Sequence, residues 1–175
     1  MFEHDNYFSL FHLPATLPVD IAQLNEQYQL LQRQYHPDNY AIANDSEKAT
    51  AMQKSATINA AYKTLKDPFT AAQYRLALEG IDIDNESNTI FDPLFLNEQF
   101  ELREILDDIE QTNDLDALDT FYDEVISRKK QVYSDVLLAI KNSEWQDAKI
   151  ILYKLRYFAR LIEQIELLQE KQFAL

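Results

Sequence analysis

The sequence tetrad Tyr35-His36-Pro37-Asp38 places an imidazole and a carboxylate two residues apart, with Arg33 close before them. Pro37 disfavours helical backbone angles at His36, so a helix that reaches Tyr35 must end there. The two polar side chains therefore lie on a short turn between helices, and we expect them to point outward rather than at each other. A turn of this kind is suited either to docking a partner or to catalysis.

Catalysis at this turn would need further groups, and the sequence does not place them at catalytic spacing. The other histidines, His4 and His12, form no ligand cluster with His36, so the sequence predicts no metal site. The absence of cysteine excludes disulfides and thiolate ligands, and no strand–turn–helix elbow supports a serine hydrolase. We expect no catalytic residue and no cofactor. A metal-assisted hydrolase that uses His36 and Asp38 is kept as the alternative from the enzyme class.

The composition predicts an all-α protein with a packed core. Hydrophobic residues make up 46% of the 175 residues, and Gly80 is the only glycine, whereas the hairpin turns of sheets need glycine. The formal net charge of −14 disfavours nucleic acid and anionic membrane surfaces as partners, because both are negatively charged. With neither a signal peptide nor an apolar run of 18 residues, we expect a cytoplasmic protein.

Hydrophobic spacing predicts four helices in residues 1–80, namely a short one at 7–13, two long ones on either side of the tetrad, and a fourth at 69–79. A capping box of Asp20 and Gln23 opens the second helix, and Asp45 or Ser46 caps the third. The core stripe expected for the second helix is Ile21, Leu24, Tyr28, Leu31 and Tyr35. That expected for the third is Ala49, Met52, Ala56, Asn59, Tyr62 and Leu65.

The second half of the chain reads as a separate domain. Residues 81–91 lack a sustained period and are predicted to be a linker. Residues 92–175 contain three long helical patterns joined by short turns, with Ser143 expected to cap the last, which predicts an antiparallel three-helix bundle. Residues 1–80 carry a net charge of −3 and residues 81–175 a net charge of −11, so the acidic character belongs to the second half.

The first helix of the second half has two distinct faces. At about 100° per residue, its core stripe occupies an arc of about 100°. That stripe comprises Phe95, Leu102, Ile105, Leu106 and Ile109. A different arc combines two large apolar side chains with an amide and three carboxylates, a mixture typical of a protein-binding strip. The members of this strip are Leu96, Asn97, Phe100, Glu101, Glu104 and Asp108.

Three segments of the first half resemble the J-domain, the DnaJ-like module. They are the opening NYFSLFHLP at 6–14, the Tyr-His-Pro-Asp tetrad after an amphipathic helix, and INAAYKTLKDP at 58–68. The resemblance implies a helical hairpin with short flanking helices. It also implies that His36, Pro37 and Asp38 contact a DnaK-type chaperone and trigger its ATP hydrolysis, with Asp38 in a charge-assisted contact.

Further segments, outside the J-domain as well as within it, resemble the HscB family of iron–sulfur cluster co-chaperones. These are LLQRQYHPD at 30–38, QKSATIN at 53–59, FLNEQFELRE at 95–104 and KLRY at 154–157. The resemblance implies two partners, the chaperone HscA and the cluster scaffold IscU. It implies that the strip beginning at Leu96, together with Tyr157 on the last helix, binds the scaffold.

Two departures from the J-domain pattern bear on the choice of partner. Asn39 stands where many J-domains have lysine, and the second helix presents amides where many relatives present lysines. Arg33 is then the main cation of the expected docking face. A J-domain co-chaperone for a different client is the alternative within this functional class.

Overall fold

A computed structural model describes residues 6–40, 44–83 and 92–173, and every regular element in them is helical. The all-α prediction is confirmed. The chain divides between Gly80 and Ile81 into two compact units. Within the described residues, no helix combines the length and the apolar character needed to cross a bilayer.

The described residues of the first unit form four α-helices and one 3₁₀ turn. They are α1 (Tyr7–Leu10), α2 (Ile21–Tyr35), the 3₁₀ turn (Pro37–Tyr40), α3 (Asp45–Lys66) and α4 (Pro68–Leu78). The pairing of α2 with α3 is reinforced by stacked rings of Tyr28 and Tyr62, whose centroids lie 3.9 Å apart. Each hydroxyl donates to an asparagine of the opposite helix, Tyr28 to Asn59 and Tyr62 to Asn25. These contacts hold the two helices on either side of the tetrad in register.

Helix ends in this unit follow the expected chemistry, with some shifts in position. The Asp20 carboxylate accepts the Gln23 N–H at 3.0 Å and caps α2, but the Gln23 side chain donates to the His12 carbonyl, so the predicted reciprocal capping box is not formed. Asn44, rather than Asp45 or Ser46, caps α3, and it does so in a reciprocal pair with Glu47. The left-handed Gly80 (φ 77°) follows α4 as predicted. Helix α1 ends at Leu10, earlier than expected.

The core stripe predicted for α3 is wrong at four of its six positions, whereas Leu65 is buried and Tyr62 packs against the core. Met52 is 62% exposed and Ala49, Ala56 and Asn59 are also exposed, whereas the buried residues are Ala51, Ile58, Ala61 and Leu65. The predicted set advances mostly by three residues, so it drifts by about 200° around the helix instead of staying on one face. The observed set remains within an arc of about 80°. In α2, Ile21 is likewise exposed, because it lies in the first turn.

The second unit contains three long helices, α5 (Pro93–Thr112), α6 (Leu115–Lys141) and α7 (Trp145–Phe173). The turn before α7 places Ser143 at a φ of 61°, and the helix begins two residues later, so the predicted cap at Ser143 is wrong. One core cluster of the unit comprises Leu102, Leu106, Ile109, Leu118, Phe121, Val125, Phe158, Leu161, Ile162 and Ile165. Ile105, predicted in the core, is 43% exposed because it lies at the edge of the α5 stripe.

One residue of the predicted linker at 81–91 is packed against α7. Ile83 is buried, and its carbonyl accepts hydrogen bonds from the Tyr153 hydroxyl and from Arg156 of α7. This residue is therefore packed into the second unit. Residues 84–91, the rest of the predicted linker, lie outside the described residues.

Candidate partner-binding sites

The tetrad lies at the end of α2, as Pro37 requires. His36 has extended backbone angles (φ −61°, ψ 131°), and the chain then enters the 3₁₀ turn. The side chains of His36 and Asp38 are 53% and 89% exposed. Both groups can therefore be reached by a partner without any rearrangement of the core.

The expectation that His36 and Asp38 point away from each other is wrong. The His36 Nδ1 atom accepts the Asp38 N–H at 3.3 Å and lies 3.5 Å from the Asp38 carboxylate. The short 3₁₀ turn brings the two side chains to the same side, because the chain folds back within two residues. The site is thus one compact polar point, with a ring nitrogen and a carboxylate adjacent.

Asn39, which stands where many J-domains have lysine, stabilises the turn after α2. Its amide Nδ2 donates to the Arg33 carbonyl at 2.7 Å, one of the carbonyls that the end of α2 leaves without a helical partner. The Tyr40 hydroxyl lies 3.5 Å from the neighbouring Gln34 carbonyl. The residues after the tetrad therefore fasten the turn to the helix before it, while the exposed Arg33 side chain remains available at the surface.

The described residues contain no group of three or more histidine, aspartate or glutamate side chains that could hold a metal ion. The His36–Asp38 pair is accordingly a two-residue polar contact in this part of the chain. Its chemistry is that of a hydrogen-bonding and charge-pairing point.

The predicted strip on α5 lies on the surface. Leu96 is 43% and Phe100 62% exposed, and Asn97, Glu101, Glu104 and Asp108 are exposed beside them. The Asn97 amide donates to the Glu101 carboxylate at 2.7 Å along the helix. The strip therefore presents two adjacent apolar side chains with a polar and acidic border on one side.

The start of α5, which carries the strip, is fixed to both neighbouring helices. Asp92 caps it by accepting the N–H groups of Leu94 and Phe95, and pairs with Lys154 of α7 at 2.7 Å. The hydrogen bond from Lys154, followed by that from Phe95, lowers the pKa of the Asp92 carboxyl. Arg128 of α6 bridges to Glu98 on the strip helix. These contacts fix the position of the exposed apolar pair.

Tyr157 lies beneath this part of α5. Its hydroxyl donates to the Gln99 carbonyl at 3.2 Å, and its ring meets that of Phe95 edge-on, with centroids 5.5 Å apart. Burial raises the pKa of the Tyr157 phenol. The residue thus supports the helix from below as well as lining the surface next to Leu96 and Phe100.

A groove of about 450 Å³ runs between α5 and α7, and the apolar pair of the strip lies at one end of it. The groove brings together three predicted residues, Leu96, Phe100 and Tyr157. Asn97, Glu101, Glu104 and Asp108 lie on the other side of the apolar pair and do not line it. The groove residues that the sequence reasoning missed include Gln99, Arg103, Asp107, Glu110, Arg160, Gln164, Leu167, Leu168 and Lys171. The periodicity of α7 could have indicated its surface residues, but not which of them face α5.

The two units match two family models. Residues 6–75 match the DnaJ domain, and residues 91–166 match the HSCB C-terminal oligomerisation domain. Co-chaperone protein HscB of Proteus mirabilis (strain HI4320) is 41% identical over 96% of this chain and 98% of its own length. The chain belongs to the HscB family of J-domain co-chaperones. The HscB homologue of Vibrio atlanticus (strain LGP32) is also 41% identical, over 95% of this chain and 98% of its own length.

Solved structures from the HscB family share the fold. Chaperone HscB from Vibrio cholerae superposes with a TM-score of 0.84 at 36% identity, covering 95% of this chain and 98% of its own. Human co-chaperone HscB gives a TM-score of 0.90 at 33% identity, covering 100% of this chain and 86% of its own. The expected J-domain followed by a helical bundle is therefore confirmed. A J-domain co-chaperone works with a DnaK-type chaperone, which is the partner class that this membership implies.

Proposed function

We propose that this chain is an adaptor that delivers the iron–sulfur scaffold IscU to the DnaK-type chaperone HscA and stimulates the ATPase of that chaperone. The observation that carries the proposal is the presence of two exposed sites on separate compact units. His36 and Asp38 are exposed in the first unit, and Leu96 and Phe100 in the second. A chain with two such surfaces can hold two partners together and raise the effective concentration of one at the other.

The roles of the residues follow from their chemistry. In the first unit, Asp38 provides a carboxylate for a cation of the chaperone, and His36, held beside it, adds a second polar contact. Arg33 offers a cation to an acidic group of the same partner. In the second unit, Leu96 and Phe100 are the apolar anchors and Tyr157 supports them. The bordering Asn97, Glu101, Glu104 and Asp108 attract and orient a basic surface of the scaffold.

The chain itself performs no chemical step in this proposal, because ATP is hydrolysed on the chaperone. It needs no metal or cofactor for that task, and any iron–sulfur cluster is cargo of the scaffold. The expected cytoplasmic location remains a prediction.

The direct test measures steady-state ATP hydrolysis by HscA with the chain alone, with IscU alone and with both. We expect stimulation by the chain alone and a larger, more than additive stimulation when both are present. An increase with the chain that does not respond to IscU, together with no binding of IscU in calorimetry, would favour a co-chaperone for another client. ATP turnover by the chain without HscA would favour the hydrolase alternative.

A further inference from the structure

The α5–α7 groove carries cations in a unit that is otherwise strongly acidic. Residues 81–175 hold 21 acidic and 10 basic side chains. Three of those ten, Arg103, Arg160 and Lys171, line this one groove. The cations of this unit are therefore concentrated at this groove, beside the exposed apolar pair.

None of these three cations, which include Arg103 and Arg160, forms an ion pair with any of the described residues. Other cations of the same unit do. Arg128 bridges to Glu98 and Glu124, and Lys154 pairs with Asp92 at 2.7 Å. The groove arginines therefore keep their donors available, whereas Arg128 and Lys154 serve to join helices.

The two arginines lie at the same level on opposite sides of the groove. The hydrogen bond from Tyr157 to the Gln99 carbonyl, 3.2 Å long, fixes which residues of α5 and α7 are level. Arg103 lies one helical turn beyond Gln99, and Arg160 lies about one turn beyond Tyr157. The charge of Arg103 also acts on Tyr157. It lowers the pKa of the Tyr157 phenol, whereas burial, the larger effect, raises it.

The apolar pair thus separates two borders of opposite charge. Glu101, Glu104 and Asp108 lie on the outer side of Leu96 and Phe100, and the two arginines lie on the groove side, just beyond Phe100. Farther along, Asp107 and Glu110 of α5 also line the groove, opposite Leu167 and Lys171. The cationic part is therefore local to the stretch next to the apolar anchor.

We propose that Arg103 and Arg160 together bind a carboxylate side chain of the scaffold, next to the apolar residue that the scaffold places on Leu96 and Phe100. The inference rests on the proposed function and adds the chemistry of the partner. Two guanidinium groups that line one groove favour an aspartate or glutamate, because a guanidinium can donate two parallel hydrogen bonds to a carboxylate. A scaffold surface that fits both borders must carry basic groups on one side of its apolar residue and an acidic group on the other.

A binding surface with an acidic border on one side and a cationic border on the other would fix the orientation of the bound scaffold. An acidic border alone would accept any basic surface with an apolar centre. A cationic border on the opposite side penalises the reversed orientation through like-charge contacts, which is how charged interfaces gain specificity.

The test uses the full chain and measures its affinity for IscU by titration calorimetry. We expect Arg160→Glu to weaken binding by about tenfold or more, and Arg160→Gln and Arg103→Gln by about threefold to tenfold each. Lys130→Glu is the matched control, since Lys130 is an exposed cation on α6 outside the groove and the change in net charge is the same. It should alter the affinity by less than about twofold. Circular dichroism and melting of all variants should match those of the unchanged chain.

The second part of the test asks whether a compensating charge reversal in IscU restores binding to the Arg160→Glu chain. Each exposed aspartate and glutamate of IscU is replaced in turn by lysine, and the variants are titrated with the Arg160→Glu chain. One of them should recover binding and should bind the unchanged chain less well. If Arg160→Glu equals the Lys130→Glu control, or if it tightens binding, the cationic border is not a carboxylate site, although the adaptor function would stand. If the unchanged chain does not bind IscU at all, the proposed function itself fails.

Discussion

At the scale of single residues, the His36–Asp38 contact is both exposed and separate from the core. The two side chains lie 3.5 Å apart and lie outside the described core cluster that packs α2 against α3, which includes the rings of Tyr28 and Tyr62. Function and stability should therefore respond independently to changes at the turn.

We predict that His36→Gln or Asp38→Asn abolishes stimulation of the chaperone ATPase while the melting temperature changes by no more than about 1–2 °C, as for other exposed substitutions. Asp38→Asn removes the charge that a chaperone cation would pair with, and His36→Gln removes the ring next to it. The measurements are steady-state ATP hydrolysis and thermal unfolding followed by circular dichroism.

His12→Gln is the control for this prediction. It makes the same chemical change at another exposed histidine of the first unit, away from the tetrad in sequence. Stimulation at the normal level by His12→Gln and its loss in His36→Gln would locate the effect at the turn. Wild-type stimulation by both turn variants would contradict the assigned role of the tetrad.

The sequence predicts individual site residues where one helix or turn contains the whole signal. The tetrad was identified because proline, histidine and aspartate are adjacent in the chain, and the strip because Leu96 and Phe100 leave the core arc of a single helix. The sequence does not predict Arg103 and Arg160 as a pair, because they line one groove from two different helices and are more than 50 residues apart in the chain. Which surface residues of two helices converge depends on the rotation of each helix about its axis, and the periodicity of one helix alone does not determine this.

At the scale of secondary-structure elements, α5 is the helix whose placement matters most, because it carries the strip. Its first two turns are held by the Asp92 cap, the Lys154–Asp92 pair and the Arg128–Glu98 bridge. Helix α3 shows the corresponding limit of sequence reasoning. Its many alanines offer several helical tracks of similar hydrophobicity, and only the packing of Ile58 into the core decides between them.

The ion pair of Asp92 predicts a pH dependence of stability. Because the pKa of this carboxyl is lower in the folded chain, the ionised form contributes stability above its unfolded pKa of about 3.9, and the contribution is lost as the pH falls through the lowered folded value. We expect Asp92→Asn, which can still cap the helix, to melt below the unchanged chain at pH 7. The difference should shrink as the pH approaches 3.

Asp116→Asn is the comparison for this prediction, since Asp116 is an exposed carboxylate in the first turn of α6 with no ion pair among the described residues. Its melting temperature should follow that of the unchanged chain more closely across the same range of pH. A difference for Asp92→Asn that persists at pH 3 would mean that the charge is not what the variant has lost.

The strip on α5 predicts unequal contributions from its apolar and acidic members. We expect Leu96→Ala with Phe100→Ala to weaken IscU binding by about 30-fold or more, because apolar anchors that lose water on binding dominate interfaces. Glu101→Ala with Glu104→Ala should weaken it by about threefold and reduce its salt dependence, since exposed carboxylates act through screened attraction. Calorimetry at two salt concentrations measures both effects.

Melting curves separate this interpretation from a structural one. Leu96 and Phe100 are 43% and 62% exposed, so their truncation should leave the melting temperature of the bundle nearly unchanged. Neither double variant should change ATPase stimulation in the absence of IscU. A markedly lower melting temperature for Leu96→Ala with Phe100→Ala would assign these residues to the core and remove the proposed binding surface.

At the scale of the whole molecule, the chain consists of two units that each have their own core. The first is built around residues such as Phe8, Leu24 and Ile58, and the second around residues such as Leu106, Val125 and Phe158. The number of units and their helical character were visible in the sequence, whereas the packing of Ile83 against α7 was hidden, because a single buried isoleucine in a polar stretch has no periodicity.

Because each unit is compact by itself, we expect each to fold and bind its partner alone, and the covalent connection to couple the two binding events. We predict that residues 1–80 melt cooperatively and stimulate the chaperone weakly but show no further increase with IscU. Residues 81–175 should bind IscU with nearly the affinity of the full chain and should not stimulate the chaperone.

Adding both fragments together should not restore the IscU-dependent increase, because two partners on one chain meet at an effective concentration of about 1 mM, which micromolar fragments do not reach. An excess of the 81–175 fragment should even reduce the increase given by the full chain, since it occupies IscU without delivering it. Steady-state ATPase measurements compare residues 1–80 alone, residues 81–175 alone, the two fragments together, and the full chain with an excess of residues 81–175. Full IscU-dependent stimulation by residues 1–80 alone would place the scaffold site in the first unit, and restoration by the unlinked pair would mean that IscU, rather than the connection between the units, brings the chaperone into the complex.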